Sequence, residues 1–255
     1  MPVGGPKDPE TVAIAGDWHT STAWAQHAIS MVAEPGATVI VHVGDFGYTT
    51  TAASRLFLDT IEETLRETGL LLLWVDGNHD DTAALNQQPL TGGVHRIRDH
   101  IVHLPRGFRW NWHERTWLAL GGAVSIDREE DAAGTSWWPT EEITPADIAA
   151  ATIGGRAEVM ICHDAPTGVE KLARHLGAPP EPADVATAVR ASQDAVRAVV
   201  DAVTPDLLVH GHHHWRYSDR LGGTRIEGLD RDGRRMARNL ILVDARTLRV
   251  RNLFS

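Results

Sequence analysis

The chain has 255 residues, 42 % hydrophobic and 23 % charged, the proportions of an ordinary globular domain rather than a disordered, fibrous or disulfide-scaffold chain. Twenty-four Lys and Arg against 34 Asp and Glu leave a formal charge of −10, which disfavours nucleic acid or an anionic membrane as a partner. The single cysteine, Cys162, suits a reducing compartment. No run approaches the ~18 apolar residues that span a bilayer, and the opening ten residues lack a signal-peptide core, so a cytoplasmic protein is expected.

Residues 1–10, with Pro2, Gly4, Gly5, Pro6 and Pro9, are read as a flexible lead. Thr11–Ala15 is the first apolar run and Thr38–Val43 the second, with a helical stretch from Thr22 to Glu34 between them, closed by Pro35-Gly36. A helix from about Ala52 to Thr68, stopped by Gly69, leads to the third run, Leu70–Val75. This β-α-β-α-β order predicts a layered α/β fold. Shorter strands are expected at Val94–Ile97, Ile101–Leu104, Gly107–Trp110 and Thr116–Leu120, and a loop with a short helix over Glu129–Ala150. Ala157–Cys162 reads as a buried strand, Asp184–Val203 as an amphipathic helix and Leu207–Val209 as a strand. Arg216–Phe254 reads as antiparallel strands with a Gly222-Gly223 turn. No linker divides the chain, so 1–255 is taken as one domain, with 105–150 as a candidate lid or insert.

The chemistry lies at the carboxyl end of each run. The first ends in Gly16-Asp17-Trp18-His19, the second in Gly44-Asp45 and the third in Gly77-Asn78-His79-Asp80. Ala157–Cys162 ends in His163-Asp164, and Leu207–Val209 in His210-Gly211-His212-His213-His214. Ligands of open α/β sheets bind beyond the carboxyl ends of the strands, so five strand ends that deliver Asp, Asn and His predict one metal site. In extended chain, Asp17 and His19 leave on the same side, as do His212 and His214. The preceding glycines allow sharp turns and close backbone approach. Mixed imidazole and carboxylate donors suit Mn, Fe, Zn or Co better than Ca.

The ordered series Asp-x-His, Gly-Asp, Gly-Asn-His-Asp, a later lone His and Gly-His-x-His resembles the calcineurin-like metallophosphoesterase family, from Asp17 to His214. The resemblance implies a single-domain α/β/β/α sandwich with mixed sheets and flanking helices. It implies two divalent metals, with manganese favoured. Asp17, His19, Asp45 and His214 would hold one metal. Asp45, Asn78, His163 and His212 would hold the other, Asp45 bridging. His79 would contact the substrate phosphate or protonate the leaving group, with Asp80 orienting it. The implied reaction is hydrolysis of a phosphate ester by in-line attack of a metal-bound hydroxide. Two departures bear on the substrate: Gly44-Asp45-Phe46-Gly47 lacks a further downstream Asp, and His213 and Trp215 flank the last ligands.

The expected substrate is a small phosphorylated molecule, nucleotide-directed in one version, handled as a phosphodiester or a monoester. A nuclease and a catalytically silent interaction module are the alternatives. The acidic balance counts against the first and the full ligand set against the second. Arg128 is a candidate phosphate contact that could equally pair with Asp127 or Glu130, and Asn78 and His213 are candidate substrate contacts. His42 and His210 are read as packing residues or as supporting hydrogen-bond partners of the ligand turns, Asp164 as orienting His163 or capping the turn at Pro166. Trp110, Trp112, Trp117, Trp137 and Trp138 crowd the 109–139 stretch. Core packing or an oligomer interface is favoured for them over a lid that stacks a base.

Overall fold

The computed structural model describes residues 8–126, 137–179 and 182–253. The elements run as β1 (Thr11–Ala15), α1 (Thr22–Ala33), β2 (Val39–His42), α2 (Ala52–Thr68), β3 (Leu71–Trp74), α3 (Thr82–Leu85), β4 (Leu90–Thr91), β5 (Val94–Arg96), β6 (Ile101–His103), β7 (Arg109–Trp112) and β8 (Arg115–Leu120). After a 3-10 turn at Pro139–Glu141 come α4 (Pro145–Thr152), β9 (Val159–Cys162), α5 (Glu170–Leu176), α6 (Ala183–Val203), β10 (Leu207–His210), β11 (Tyr217–Leu221), β12 (Thr224–Gly228), α7 (Met236–Asn239), β13 (Leu240–Asp244) and β14 (Val250–Asn252).

Two mixed sheets result. One runs β14-β13-β1-β2-β3-β6-β5-β4 and the other β11-β12-β10-β9-β8-β7. β1, β2, β3 and β6 are mutually parallel, as are β8, β9, β10 and β12. Alternation along β1 shows how the layers form. Val12 and Ile14 point between the sheets, where they join Val159, Ile161 and Val209 of the second sheet. Ala13 and Ala15 point outward against Ala28, Ile29 and Val32 of α1. On the far side, α6 buries Val196, Val199, Val200 and Val203 against the second sheet. The result is a single-domain α/β/β/α sandwich, as the resemblance implied.

The helix ends obey local rules. Thr51 caps α2 by accepting the Ser54 N–H, and Gly69 closes that helix at φ +70°. One expectation is corrected and two take a specific form. The Arg216–Phe254 stretch is not one antiparallel unit: β11 and β12 form the hairpin, but β12 also lies parallel to β10, and β13 crosses to pair with β1 in the other sheet. The short helix expected within Glu129–Ala150 lies at Pro145–Thr152, started by a Thr144/Asp147 capping box. Trp110, Trp112 and Trp117 are core packing, part of the favoured reading, rather than a lid. They point into the space between the sheets, Trp112 edge to face with both Trp110 and Trp117, and Trp138 is also buried. Asp127 and Arg128 lie outside the described residues.

Candidate metal centre

Five loops meet at one edge of the sandwich, after β1, β2, β3, β9 and β10. They are laced by main-chain hydrogen bonds. The N–H groups of Trp18 and His19 both donate to Asp45 O, at 3.0 and 2.9 Å. His79 N–H donates to Asp45 Oδ1 at 2.9 Å, and His212 N–H to Asp17 Oδ2 at 2.9 Å. The approach is so close that a Cβ on Gly77 would lie 2.2 Å from Asp45 Oδ1, and one on Gly211 would lie 2.1 Å from Asp17 Oδ1.

All seven predicted ligands come together. Asp45 Oδ2 lies 3.4 Å from His19 Nε2, while Asp45 Oδ1 lies 3.3 Å from His163 Nε2. The two oxygens of Asp45 therefore face opposite halves of the cluster. His163 Nε2 is 3.0 Å from Asn78 Oδ1, and His214 Nε2 is 3.6 Å from Asp17 Oδ2. The rings of His163 and His212 are 5.2 Å apart, those of His19 and His214 5.1 Å. Donors that share a cation at about 2.1 Å stand roughly 3.0–3.4 Å from one another, so the set has the spacing of candidate ligand groups. The pairing Asp17/His19 and His212/His214 does not arise from extended chain as expected. Asp17, His19, Asp45, His212 and His214 all adopt positive φ, between +26° and +64°.

The hydrogen bonds of the cluster leave a demand for positive charge. Asp17 Oδ1, Asp45 Oδ2 and His214 Nε2 are buried without a hydrogen-bond partner among the described residues. His163 Nδ1 lies 2.8 Å from Val43 O, to which it donates, so a neutral ring would carry its lone pair on Nε2, the atom that faces acceptor oxygens of Asn78 and Asp45. Without a cation, protons take its place. Burial works against a charged His163, yet the carboxylates of Asp45 and Asp17 push it up to about 10, and His19 rises to about 9 against burial for the same reason. Burial pushes Asp17 up to about 7. It pushes His212 well below its usual range and His214 down to about 3, leaving both as neutral imidazoles. Acceptors and neutral imidazoles around one point fit divalent cations.

The surrounding contacts hold residues that the sequence did not single out. Asp232 Oδ1 sits 3.0 Å from His19 Nδ1 and sets that ring. Asn78 Nδ2 donates to Ser125 Oγ at 3.1 Å, and Ser125 Oγ donates to Glu141 Oε2 at 2.8 Å. Burial pushes the Glu141 carboxyl up to about 7 against the two hydrogen bonds from Ser125. Asp164 orients neither His163 nor a turn at Pro166 alone. It accepts from Ser192 Oγ at 2.6 Å and from Ala165 N–H, and stands 3.1 Å from His213 Nε2.

The expected role of Asp80 is corrected. Its carboxylate does not orient His79 but is taken up by four backbone N–H groups, those of Phe46, Gly47, Tyr48 and Gly77. A buried acceptor bridging two ligand loops is an internal brace. His42 and His210 are fully buried, as expected of packing residues, and His42 Nδ1 accepts the Gly44 N–H.

A cleft of about 390 Å³ opens over the cluster. Asp45, Asn78, His79 and His212–His214 form its floor, and Ile126, Leu176, Ala178 and Val189 form an apolar flank. Among the described residues, no helix is long and apolar enough to cross a membrane.

Comparison with known proteins bears on the same residues. No curated protein matches the sequence. Among solved structures, TT1561 of Thermus thermophilus superposes with a TM-score of 0.59 at 12 % identity, over 96 % of this chain and 99 % of that one. A dimetal phosphatase from Danio rerio gives 0.53 at 12 %, over 93 % of each chain. GAP50, the anchor in the inner membrane complex of Plasmodium, gives 0.53 at 9 %, over 96 % of this chain and 89 % of that one. These likenesses establish a shared fold. The profile of the calcineurin-like phosphoesterases matches residues 10–216, a span that opens just before β1 and closes two residues after His214, and so takes in all five ligand loops. The chain belongs to that family.

Proposed function

We propose that the protein is a two-metal hydrolase of small phosphate esters. The observation that carries this reading is the acceptor-lined cradle: unpartnered oxygens of Asp17 and Asp45 and the unpartnered Nε2 of His214 converge at the ends of parallel strands with His163 Nε2, which faces Asn78 Oδ1 and Asp45 Oδ1. Asp17, His19, Asp45 and His214 would hold one cation, and Asp45, Asn78, His163 and His212 the other, with manganese the favoured metal. Bound there, the pair would supply a water activated near neutral pH and a clamp on the phosphoryl oxygens.

The remaining steps fall to the chain itself. His79 lies on the rim, its ring 5.8 Å from that of His19 and its N–H tied to Asp45. From there it can bind the phosphoryl group and deliver a proton to the leaving oxygen. His213, held through Nε2 by Asp164, presents its other edge to the cleft as a second substrate contact. The flank of Ile126, Leu176, Ala178 and Val189 offers the esterifying group an apolar wall. Among the described residues the lining has no Lys or Arg, which favours a small organic ester over a nucleic acid strand. A cytoplasmic location belongs to the same proposal, since the single cysteine is free and buried.

The test is hydrolysis of bis(4-nitrophenyl) phosphate and 4-nitrophenyl phosphate with Mn²⁺ and with chelator. Turnover of either ester that chelator abolishes is the expected result. Faster turnover of the diester would mark a phosphodiesterase, and of the monoester a phosphatase. No turnover of either, with Mn²⁺ bound, would refute the enzyme and leave an interaction module, a role for which the fold of the GAP50 anchor offers a precedent.

A further inference from the structure

We infer that Ser125 and Glu141 are positioning residues that fix which end of the Asn78 amide faces the metal centre. The inference rests on the proposed role of Asn78 as a ligand. An Asn side chain has two nearly isosteric ends, and only the carbonyl oxygen can bind a cation. Something must choose between them. With a cation bound, His163 would not do so, because its Nε2 lone pair would then face the metal rather than the Asn78 amide.

The hydrogen-bond chain makes the choice. An ionised Glu141 can only accept. Its Oε1 takes the Ser125 N–H at 2.7 Å, and its Oε2 takes the Ser125 hydroxyl at 2.8 Å. The hydroxyl has one proton, now committed to the carboxylate. Toward Asn78 it can therefore only accept, and the group that donates to it, at 3.1 Å, must be the Asn78 NH₂. Oδ1 is left pointing at His163 Nε2 and the centre. Asn78, Ser125 and Glu141 are all buried, so water cannot reverse this polarity.

The chain is anchored at its far end. Arg106 donates to the carbonyls of Thr140, Glu141 and Glu142 and, through Nη2 at 2.7 Å, to Asp76. Asp76 lies two residues before Asn78. One guanidinium thus ties the turn that carries Glu141 to the loop that carries Asn78.

The experiment is Mn²⁺ titration by calorimetry on the full chain at pH 8, after chelator treatment, with the metal-free melting temperature measured in parallel. Glu141→Gln preserves shape but breaks the polarity: its amide must either donate to Ser125 Oγ, freeing that proton for the wrong end of Asn78, or clash with the Ser125 N–H. Ser125→Ala removes the connection, and Asn78→Ala gives the reference loss. Wild type is expected to bind two equivalents. Both variants are expected to weaken one of them by about 10–100-fold, as loss of an orienting partner does, with the other within about threefold of wild type. If both variants bind two Mn²⁺ at wild-type affinity while Asn78→Ala loses one, the inference is overturned and the ligand assignment stands. If Asn78→Ala also keeps both, ligand assignment and inference fall together. A lower metal-free melting temperature with no selective loss of one site would mark Ser125 and Glu141 as structural and overturn the inference. Glu141→Gln, being isosteric, keeps the test open if Ser125→Ala does not fold.

Discussion

Gly77 is one of the tightest positions in the centre, and replacing it with alanine tests the packing directly. Its added Cβ would lie 2.2 Å from Asp45 Oδ1, 2.3 Å from Asp45 N and 2.8 Å from His163 Nε2. The tightest tolerable approach is about 3.4 Å, so the loops after β2 and β3 must separate by roughly 1 Å. Neither atom of Asp45 is a flexible end, because its N belongs to the backbone and Oδ1 accepts the His79 N–H. Overpacking of this kind costs about 1–3 kcal/mol, or about 2–12 °C in melting temperature for a chain of this size. The functional loss should be larger, since a displacement of about 1 Å can cost roughly a hundredfold in rate. Gly77→Ala is therefore expected to fold, to melt several degrees lower and to lose at least tenfold in Mn²⁺ affinity, read by calorimetry. Gly222→Ala is the control, with nothing near its Cβ and a turn φ of +57°: it should melt lower but bind Mn²⁺ as wild type does. Gly77→Ala with both metals at wild-type affinity would refute the reasoning.

Three further outcomes are expected. His79→Ala should keep both metals while kcat falls about 10²–10⁴-fold on an ester with a poor leaving group; an unchanged kcat would remove His79 from the chemistry. Leu176→Asp should raise KM for a long-chain alkyl 4-nitrophenyl phosphodiester about tenfold, or about 1.4 kcal/mol, and leave the methyl ester unaffected; equal effects on both would exclude the apolar flank from binding. Arg106→Met should cost up to about 3–5 kcal/mol by leaving the buried Asp76 with the His103 imidazole in place of a guanidinium. Although burial works against its charge, Arg106 and His103 hold the Asp76 carboxyl well below its usual value of 3.8. The pair's contribution is therefore complete above that value and is lost progressively as pH falls from it toward the depressed folded value, so the melting temperatures of wild type and Arg106→Met should draw together as pH is lowered below 3.8.

Sequence made the candidate ligands legible because each one follows a buried strand, and buried strands announce themselves as apolar runs. It also foretold the layered fold, since β-α-β-α-β order leaves few arrangements. What it could not show were the partners that hold the ligands. Asp232 is 213 residues from His19, and Ser125 is 47 from Asn78. No local pattern marks a side chain whose importance lies in a contact made only after folding. The role given to Asp80 failed for a related reason. Adjacency to His79 suggested a carboxylate–imidazole pair, but burial turned its oxygens toward backbone N–H groups that had no other acceptor. The tryptophans were decided by period: Trp110 and Trp112 share a face of β7 and meet Trp117 of β8 between the sheets.

The backbone of the ligands carries the last consequence. A site built from tight loop crossings favours glycine at each turn, yet glycine has no donor atom. Asp17, His19, Asp45, His212 and His214 therefore hold a left-handed conformation that costs side chains about 1–3 kcal/mol each where it is not offset. Asp17 adds a buried Oδ1 with no hydrogen-bond partner among the described residues. Asp17→Asn keeps the shape, suits positive φ at least as well and removes the buried charge, while an oxygen can still accept the His212 N–H. In metal-free protein it should therefore stabilise by about 1–3 kcal/mol, a rise of about 2–12 °C. Saturating Mn²⁺ should reverse the order, because at about a hundred times Kd the cation contributes roughly 2.7 kcal/mol to wild type and less to a variant that has lost a charged ligand. Thermal melts of both proteins with and without Mn²⁺ decide the matter. If the Asp17→Asn variant melted below wild type in both conditions, Asp17 would be a structural carboxylate, and the strain in these loops would have to be explained without a cation.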